Sequence, residues 1–218
     1  MQPVIFLGPS LSVEKAKSIL PFADYRPPAR KGDFQRLEKE NVQFVGFADG
    51  VFLQDYPPTP IEVYNLIKKG TMLVGAASLG ALRAVELEKF GMRGIGKIFE
   101  LYKKGVLDSD DEVAVTFSEH DYKLQSEALI DIRYTLYHAC KEGIIDRNVK
   151  KLLVKNAKNI YFPYRNYDEL FARVSGVVDV EVLETLRKYL KTNRRSLKEE
   201  DTVRLIRFIK ELCLGSLK

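Results

Sequence analysis

The chain has 218 residues, of which 45% are hydrophobic and 30% charged; Lys and Arg outnumber Asp and Glu by 35 to 30, for a net charge of +5. That composition excludes a disordered polar chain and supports a buried core of ordinary size. The longest apolar runs fall far short of the ~20 residues a bilayer-spanning helix needs. The positive charge permits anionic partners without singling out nucleic acid.

Taken in chain order, the first half alternates. An apolar run at 4–8 reads as a strand, and 12–20 as a helix capped by Ser12 with Glu14 in its first turn. The start, Met1-Gln-Pro-Val-Ile-Phe-Leu-Gly-Pro, has no basic leader and no cleavage-type segment, so the expected location is cytoplasmic. A short extended piece at 23–25 precedes a Pro- and Gly-marked loop, Pro27-Pro-Ala-Arg-Lys-Gly-Asp33, then a helix over 33–40. Residues 43–48 predict a strand ending at Asp49-Gly50, 60–69 a helix, 71–77 a strand and 79–90 a helix. Gly91-Met-Arg-Gly-Ile-Gly96 has the wrong spacing and context for a phosphate loop and reads as a turn between helices, before a helix over 97–104. The acidic stretch 108–112 reads as a solvated loop, and 113–117 as an added strand. From 126 onward the pattern is helical, over 126–141, 146–156, 167–174, 179–191 and 196–214. The expectation is an α/β fold, a mostly parallel sheet with flanking helices in a Rossmann-like N-terminal half (1–120), followed by an all-helical region (121–218).

The most informative segment is Gly75-Ala-Ala-Ser-Leu-Gly-Ala-Leu-Arg83. An apolar strand passes through small residues and one serine directly into a helix, the layout of a nucleophile elbow, with Ala76-x-Ser78-x-Gly80 in place of Gly-x-Ser-x-Gly. Such a serine projects its Oγ outward, and the following amide lies at a helix N-terminus, where negative charge is favoured. The plainer reading is a capping serine. With only His120 and His138 available, a zinc site of His/Cys type is not expected, and Cys140 and Cys213, far apart, read as small apolar side chains.

In an open parallel sheet, ligands bind outside the carboxyl ends of the strands. The loops that meet there carry Ser10, Leu11, Arg30, Lys31, Gly32, Asp33, Asp49 and the elbow, and no histidine. The base for Ser78 is then a lysine. Lys31 is favoured, with Lys97 the competitor, since a straight helix after the elbow carries the chain roughly 17 Å away at 1.5 Å per residue. The Leu79 amide is the first oxyanion donor, and an amide of Ser10 or Leu11 the second. Gly32, Asp33 and Asp49 complete the candidate binding loops. Arg83 pairs with Glu86 or reaches an anionic tail.

Several of these segments, Ile5-Phe-Leu-Gly-Pro-Ser-Leu-Ser12, Pro27-Pro-Ala with Gly32-Asp33, Asp49-Gly-Val-Phe52, residues 75–87, 90–96 and 110–114, resemble the TfuA-like core domain in order over about 4–135. The resemblance implies an accessory protein of YcaO enzymes, which use ATP to replace a peptide amide oxygen by sulfur. It implies hydrolysis of a thiocarboxylated, ubiquitin-like (ThiS-like) sulfur carrier to release sulfide by a Ser-Lys pair, Ser78 matching the serine. It also implies help in holding the peptide substrate for YcaO. No cofactor is expected in this chain; ATP and magnesium belong to YcaO. The alternatives are a non-catalytic adaptor joining YcaO and carrier, and nucleic-acid binding through the basic last helices.

Overall fold

The computed structural model describes residues 2–52 and 56–215. The described residues fold into two compact units, residues 1–110 with 198–218, and residues 111–197. Among them no helix is long and apolar enough to cross a membrane.

The first unit is the α/β unit. Its strands are β1 (Val4–Phe6), β2 (Asp24–Arg26), β3 (Phe44–Phe47), β4 (Met72–Gly75) and β5 (Arg93–Gly94), all parallel, in the order β2-β1-β3-β4-β5. This is the flavodoxin-like doubly wound order, whose direction of winding changes between β1 and β3. Helices α1 (Val13–Ile19), α2 (Asp33–Glu40), α3 (Pro60–Lys68), α4 (Leu79–Leu87) and α5 (Lys97–Lys103) connect or follow the strands. Ser12 caps α1 as expected, accepting from the Lys15 amide.

Alternation along the strands sends neighbouring side chains to opposite faces. On one face Phe6, Phe34 and Phe47 form an aromatic cluster with ring centroids 5.1–6.3 Å apart. On the other, Ile5 and Gly46 meet the last helix, α10 (Leu197–Cys213), whose Leu205 and Ile209 occupy the space a side chain at 46 would need. The central strands β1, β3 and β4 are thus largely buried on both faces, which explains why they read as continuous apolar runs.

Three expectations are corrected. Residues 113–117 form no strand; they are buried, with a single antiparallel bridge between Phe117 and Leu124. The 91–96 segment is not merely a turn between helices, because Arg93 and Gly94 pair with Val74 and Gly75 as the edge strand. The helix after the elbow also stops at Leu87, followed by a single 3₁₀ turn.

The second unit is helical: α6 (Leu129–Lys141), α7 (Arg147–Lys158), α8 (Tyr167–Val174) and α9 (Val180–Asn193). Leu136, Leu153, Leu170 and Leu186 are fully enclosed in its core. Arg165, with no exposed surface, donates to the Asp111 carboxylate at 2.7 and 2.9 Å and to the carbonyls of Ala157 and Ile160. A buried guanidinium needs such saturation, because an unpaired charge there would cost several kcal/mol (roughly 3–5). The sequence-based boundary at 120 falls ten residues past the division between the units, and α10 belongs with the sheet, not with the helical region.

Candidate active site

The elbow is built by close approach of backbone to backbone. A methyl group on Gly80 would collide with the Phe47 carbonyl, and one on Gly75 with the carbonyl of Gly80. Only glycine lets the first turn of α4 sit on the end of β3, where the Ala48 carbonyl accepts the amides of Ser78 and Gly80, each at 3.3 Å. Ala77, immediately before the serine, lies in the left-handed region at φ 64°. For a residue with a Cβ this costs about 1–2 kcal/mol, and the tight fit around the turn holds it there. Ser78 follows with φ −110° and ψ −123°.

Ser78 occupies the N-cap position of α4, yet its side chain accepts no capping hydrogen bond. The residue is 2% exposed. Among the described residues the Tyr189 hydroxyl is the one fully enclosed side-chain polar atom without a partner. The Ser78 hydroxyl, which makes no hydrogen bond there either, therefore keeps a sliver of contact with solvent.

The loops expected at the carboxyl edge of the sheet do converge. Asp49, 1% exposed, binds the loop after β1: its Oδ2 accepts the amides of Gly8 (2.9 Å) and Ser10 (3.0 Å), and its Oδ1 the Ser10 hydroxyl (2.6 Å). Ala29 bridges Gly50, and Gly50 lies against the Leu79 side chain. The elbow, the turn Asp49-Gly50-Val51 and the helices beyond fall inside one further observation: a family model for TfuA-like proteins matches residues 49–166. The chain belongs to the TfuA-like protein family. No curated protein matches it. TfuA-like proteins work in the YcaO system, and membership supports an accessory role there for this chain.

Within this TfuA-like protein, most of the groups expected at the site are engaged in shaping loops. The Asp49 carboxylate is occupied as above, and the Ser10 amide with it. The Gly32 amide donates to Glu62 Oε2 at 2.6 Å, in a loop where Gly32 adopts φ 89°. The same Glu62 forms a capping box with Thr59 at the start of α3, so one carboxylate ties the loop after β2 to α3. Sequence reading missed it, although Thr59-x-x-Glu62 is a recognisable capping box. The Asp33 carboxylate accepts the Arg30 amide and pairs with Arg36. The Arg83 guanidinium donates to the Pro58 carbonyl at 3.1 Å and pairs with Glu86 at 2.9 Å. Three groups remain uncommitted among the described residues: the Ser78 hydroxyl, the Leu79 amide and the Leu11 amide.

Three lysines belong to this edge of the α/β unit. Lys31 is exposed, with its Nζ 5.6 Å from the Tyr56 ring centroid and its amide bonded to the Tyr56 carbonyl. Lys97 is brought back to the elbow's edge by β5, since the Ile95 amide bonds the Gly75 carbonyl at 2.9 Å; its Nζ pairs with Glu100 at 3.3 Å. The doubling back that would make Lys97 a competitor does occur. Lys198, 2% exposed, escaped sequence reading altogether. It opens the buried stripe of α10, Lys198, Asp201, Thr202, Leu205, Ile206 and Ile209, spaced as one helix face. The lower part of the stripe shares a core with Ala76 and Ala77. Higher up, the Asp201 carboxylate accepts the Lys97 amide at 2.9 Å and the Ile98 amide at 2.7 Å, fixing the amino end of α10 beside the start of α5. Burial pushes the Asp201 carboxyl above the usual range, opposed by those amides and by Arg204.

His120 and His138 both lie in the helical unit, where His138 packs edge-on between Tyr134 and Tyr137. Among the described residues no three His, Cys, Asp or Glu side chains gather as a metal ion would require.

Proposed function

We propose that this protein hydrolyses the C-terminal thiocarboxylate of a small ubiquitin-like (ThiS-like) sulfur carrier, delivering sulfide to a YcaO enzyme. The supporting observation is the Ser78 hydroxyl: it stands at a helix N-cap without capping, solvent-touched, beside a free helix-terminal amide. A serine retained only as a cap would spend its oxygen on the backbone.

In this reading Ser78 Oγ attacks the thiocarboxylate carbon and the amides of Leu79 and Leu11 receive the tetrahedral oxyanion. The C–S bond then breaks, hydrosulfide leaves with the serine proton, and the carrier is held as an ester on Ser78. Water attacks that ester, releasing the carrier carboxylate and restoring the hydroxyl. The proton passes through a lysine amine. A base lysine has to be shielded from water to hand protons on near neutral pH. Lys198 is buried, whereas Lys31 and Lys97 are exposed; the reading therefore moves the base from Lys31 to Lys198.

The test is sulfide release from thiocarboxylated carrier by the purified protein. Ser78→Ala is expected to lose at least about a thousandfold in rate, and Lys198→Met nearly as much, while Lys31→Met and Lys97→Met stay within a few fold. Full release by Ser78→Ala would instead leave an adaptor that brings YcaO and carrier together.

A further inference from the structure

The helical unit carries a second feature, independent of the elbow. Four lysines of α7, Lys150, Lys151, Lys155 and Lys158, line a surface hollow of about 480 Å³ with Arg133 and Tyr137 of α6. Arg133 is neutralised by a two-pronged pair with Glu112, at 2.8 and 2.9 Å. None of the four lysines has an ion-pair partner among the described residues, and no carboxylate lines the hollow. Lys150 instead sets its Nζ 5.9 Å from the Tyr137 ring centroid, and that ring is 52% exposed. Val154, packed against the core, supplies an apolar base between the lysine pairs.

The contrast with α9 matters. Its arginines are spent inside the unit: Arg187 pairs with Asp168 at 3.1 Å, and Arg194, just past the helix, with Glu127 at 2.9 Å. A surface evolved for a phosphate backbone would leave such charges free and extended. On α7 four lysines without ion-pair partners among the described residues share one row. From Lys150 to Lys158 it runs eight residues, about 12 Å at 1.5 Å per residue, with an apolar strip between.

We infer that the α6–α7 hollow is a docking groove for an acidic amphipathic helix of a partner protein, its carboxylates along the α7 lysines and its apolar side chains on Tyr137 and Val154. The length of the row matches two to three helical turns. Carboxylates at i, i+4 and i+7 of the incoming helix repeat the lysine spacing, and the apolar strip excludes water beneath them. Four unpaired lysines at close range repel one another in the free protein, so an acidic partner relieves repulsion as well as adding attraction. This inference does not rest on the thiocarboxylate reading.

The experiment uses the full chain and a fluorescent 20-residue peptide designed as an amphipathic helix, with Glu on one face and Leu on the other. A Gln-for-Glu version and a single-stranded RNA of equal length serve as comparisons. Binding is followed by fluorescence anisotropy at 50 and 200 mM salt. Micromolar binding of the Glu peptide is expected, weakened at least tenfold in the Lys151→Glu/Lys155→Glu variant and several-fold in Lys151→Gln/Lys155→Gln, with Lys17→Glu on α1 unchanged. Each variant is checked by urea unfolding, which these exposed positions should leave in place; should the reversed pair fail to fold, the neutral pair decides. No binding of the Glu peptide, equal binding of the Gln peptide, tighter binding of the RNA, or indifference to the lysine changes each overturns the inference.

Discussion

The Asp49 carboxylate offers the sharpest test of how the site is held. It is enclosed and carries three hydrogen bonds, two from backbone amides and one from the Ser10 hydroxyl. In Asp49→Ala all three acceptors vanish. The Ser10 hydroxyl can rotate toward another partner, but the two amides are fixed by the loop, and each buried donor left unmatched costs about 1–3 kcal/mol. The expected loss is about 3–5 kcal/mol, a large part of the roughly 5–15 kcal/mol that holds a domain together. Asp49→Asn is different. Both amides converge on one oxygen, Oδ2, which an amide side chain can supply as its carbonyl, while the NH₂ group takes the place of Oδ1 and donates to a turned Ser10 hydroxyl. All three contacts survive with a neutral partner, and the cost should fall to about 1–2 kcal/mol. Urea unfolding of the two variants measures both losses, with equal m-values confirming a shared mechanism. An alanine variant within 1 kcal/mol of the parent, or an asparagine variant as damaged as the alanine, would refute the assignment of Asp49 as the clasp of this loop.

Two further outcomes follow from the packing of the same unit. Gly80→Ala drives a methyl group into the Phe47 carbonyl, a neighbour that cannot yield as a side-chain tip would; unfolding midpoints should register at least about 3 kcal/mol, the upper end for overpacking, and a change below 1 kcal/mol would mean that α4 does not ride on β3. For Asp201, whose carboxyl burial raises, the native state holds a proton over a pH window where the unfolded chain has already lost it. Its contribution to stability is complete below the ordinary aspartate value of about 3.9 and is lost as pH rises through the raised native value. Stability measured across pH 4–7 should therefore fall with rising pH through this group, and Asp201→Asn should flatten that slope; an unchanged slope would reject it.

How much of this was legible in the sequence follows from which signals are local. Helices α2 and α8 were placed at their observed bounds, and the cap of α1 was named, because capping residues, glycine turns and 3.6-residue spacing act within a few residues. The convergence of loops at the carboxyl edge was also accessible, since a parallel α/β pattern dictates it. Strand β5 was not. Two residues carry no period, and Arg93 and Gly94 are a strand only because β4 offers them a ladder. The run 113–117 erred the opposite way, its apolar residues buried without any partner strand, which composition cannot distinguish from a true strand.

The return of α10 to the sheet was the costlier miss, because it carries Lys198 and Asp201 to the elbow's edge from more than a hundred residues away. A sign of it exists in the sequence: a glycine in the middle of β3 leaves space that another element has to fill, and α10 puts a lysine, an aspartate and a threonine on its inward stripe. Polar residues at inward positions are expensive unless something nearby uses them. Asp201 is used, holding the start of α5. Lys198, one turn earlier on the same face, is buried with it. A serine that caps and a serine that reacts occupy the same place in a sequence, and only the direction of its oxygen separates them. Here that oxygen makes no capping bond to its own helix.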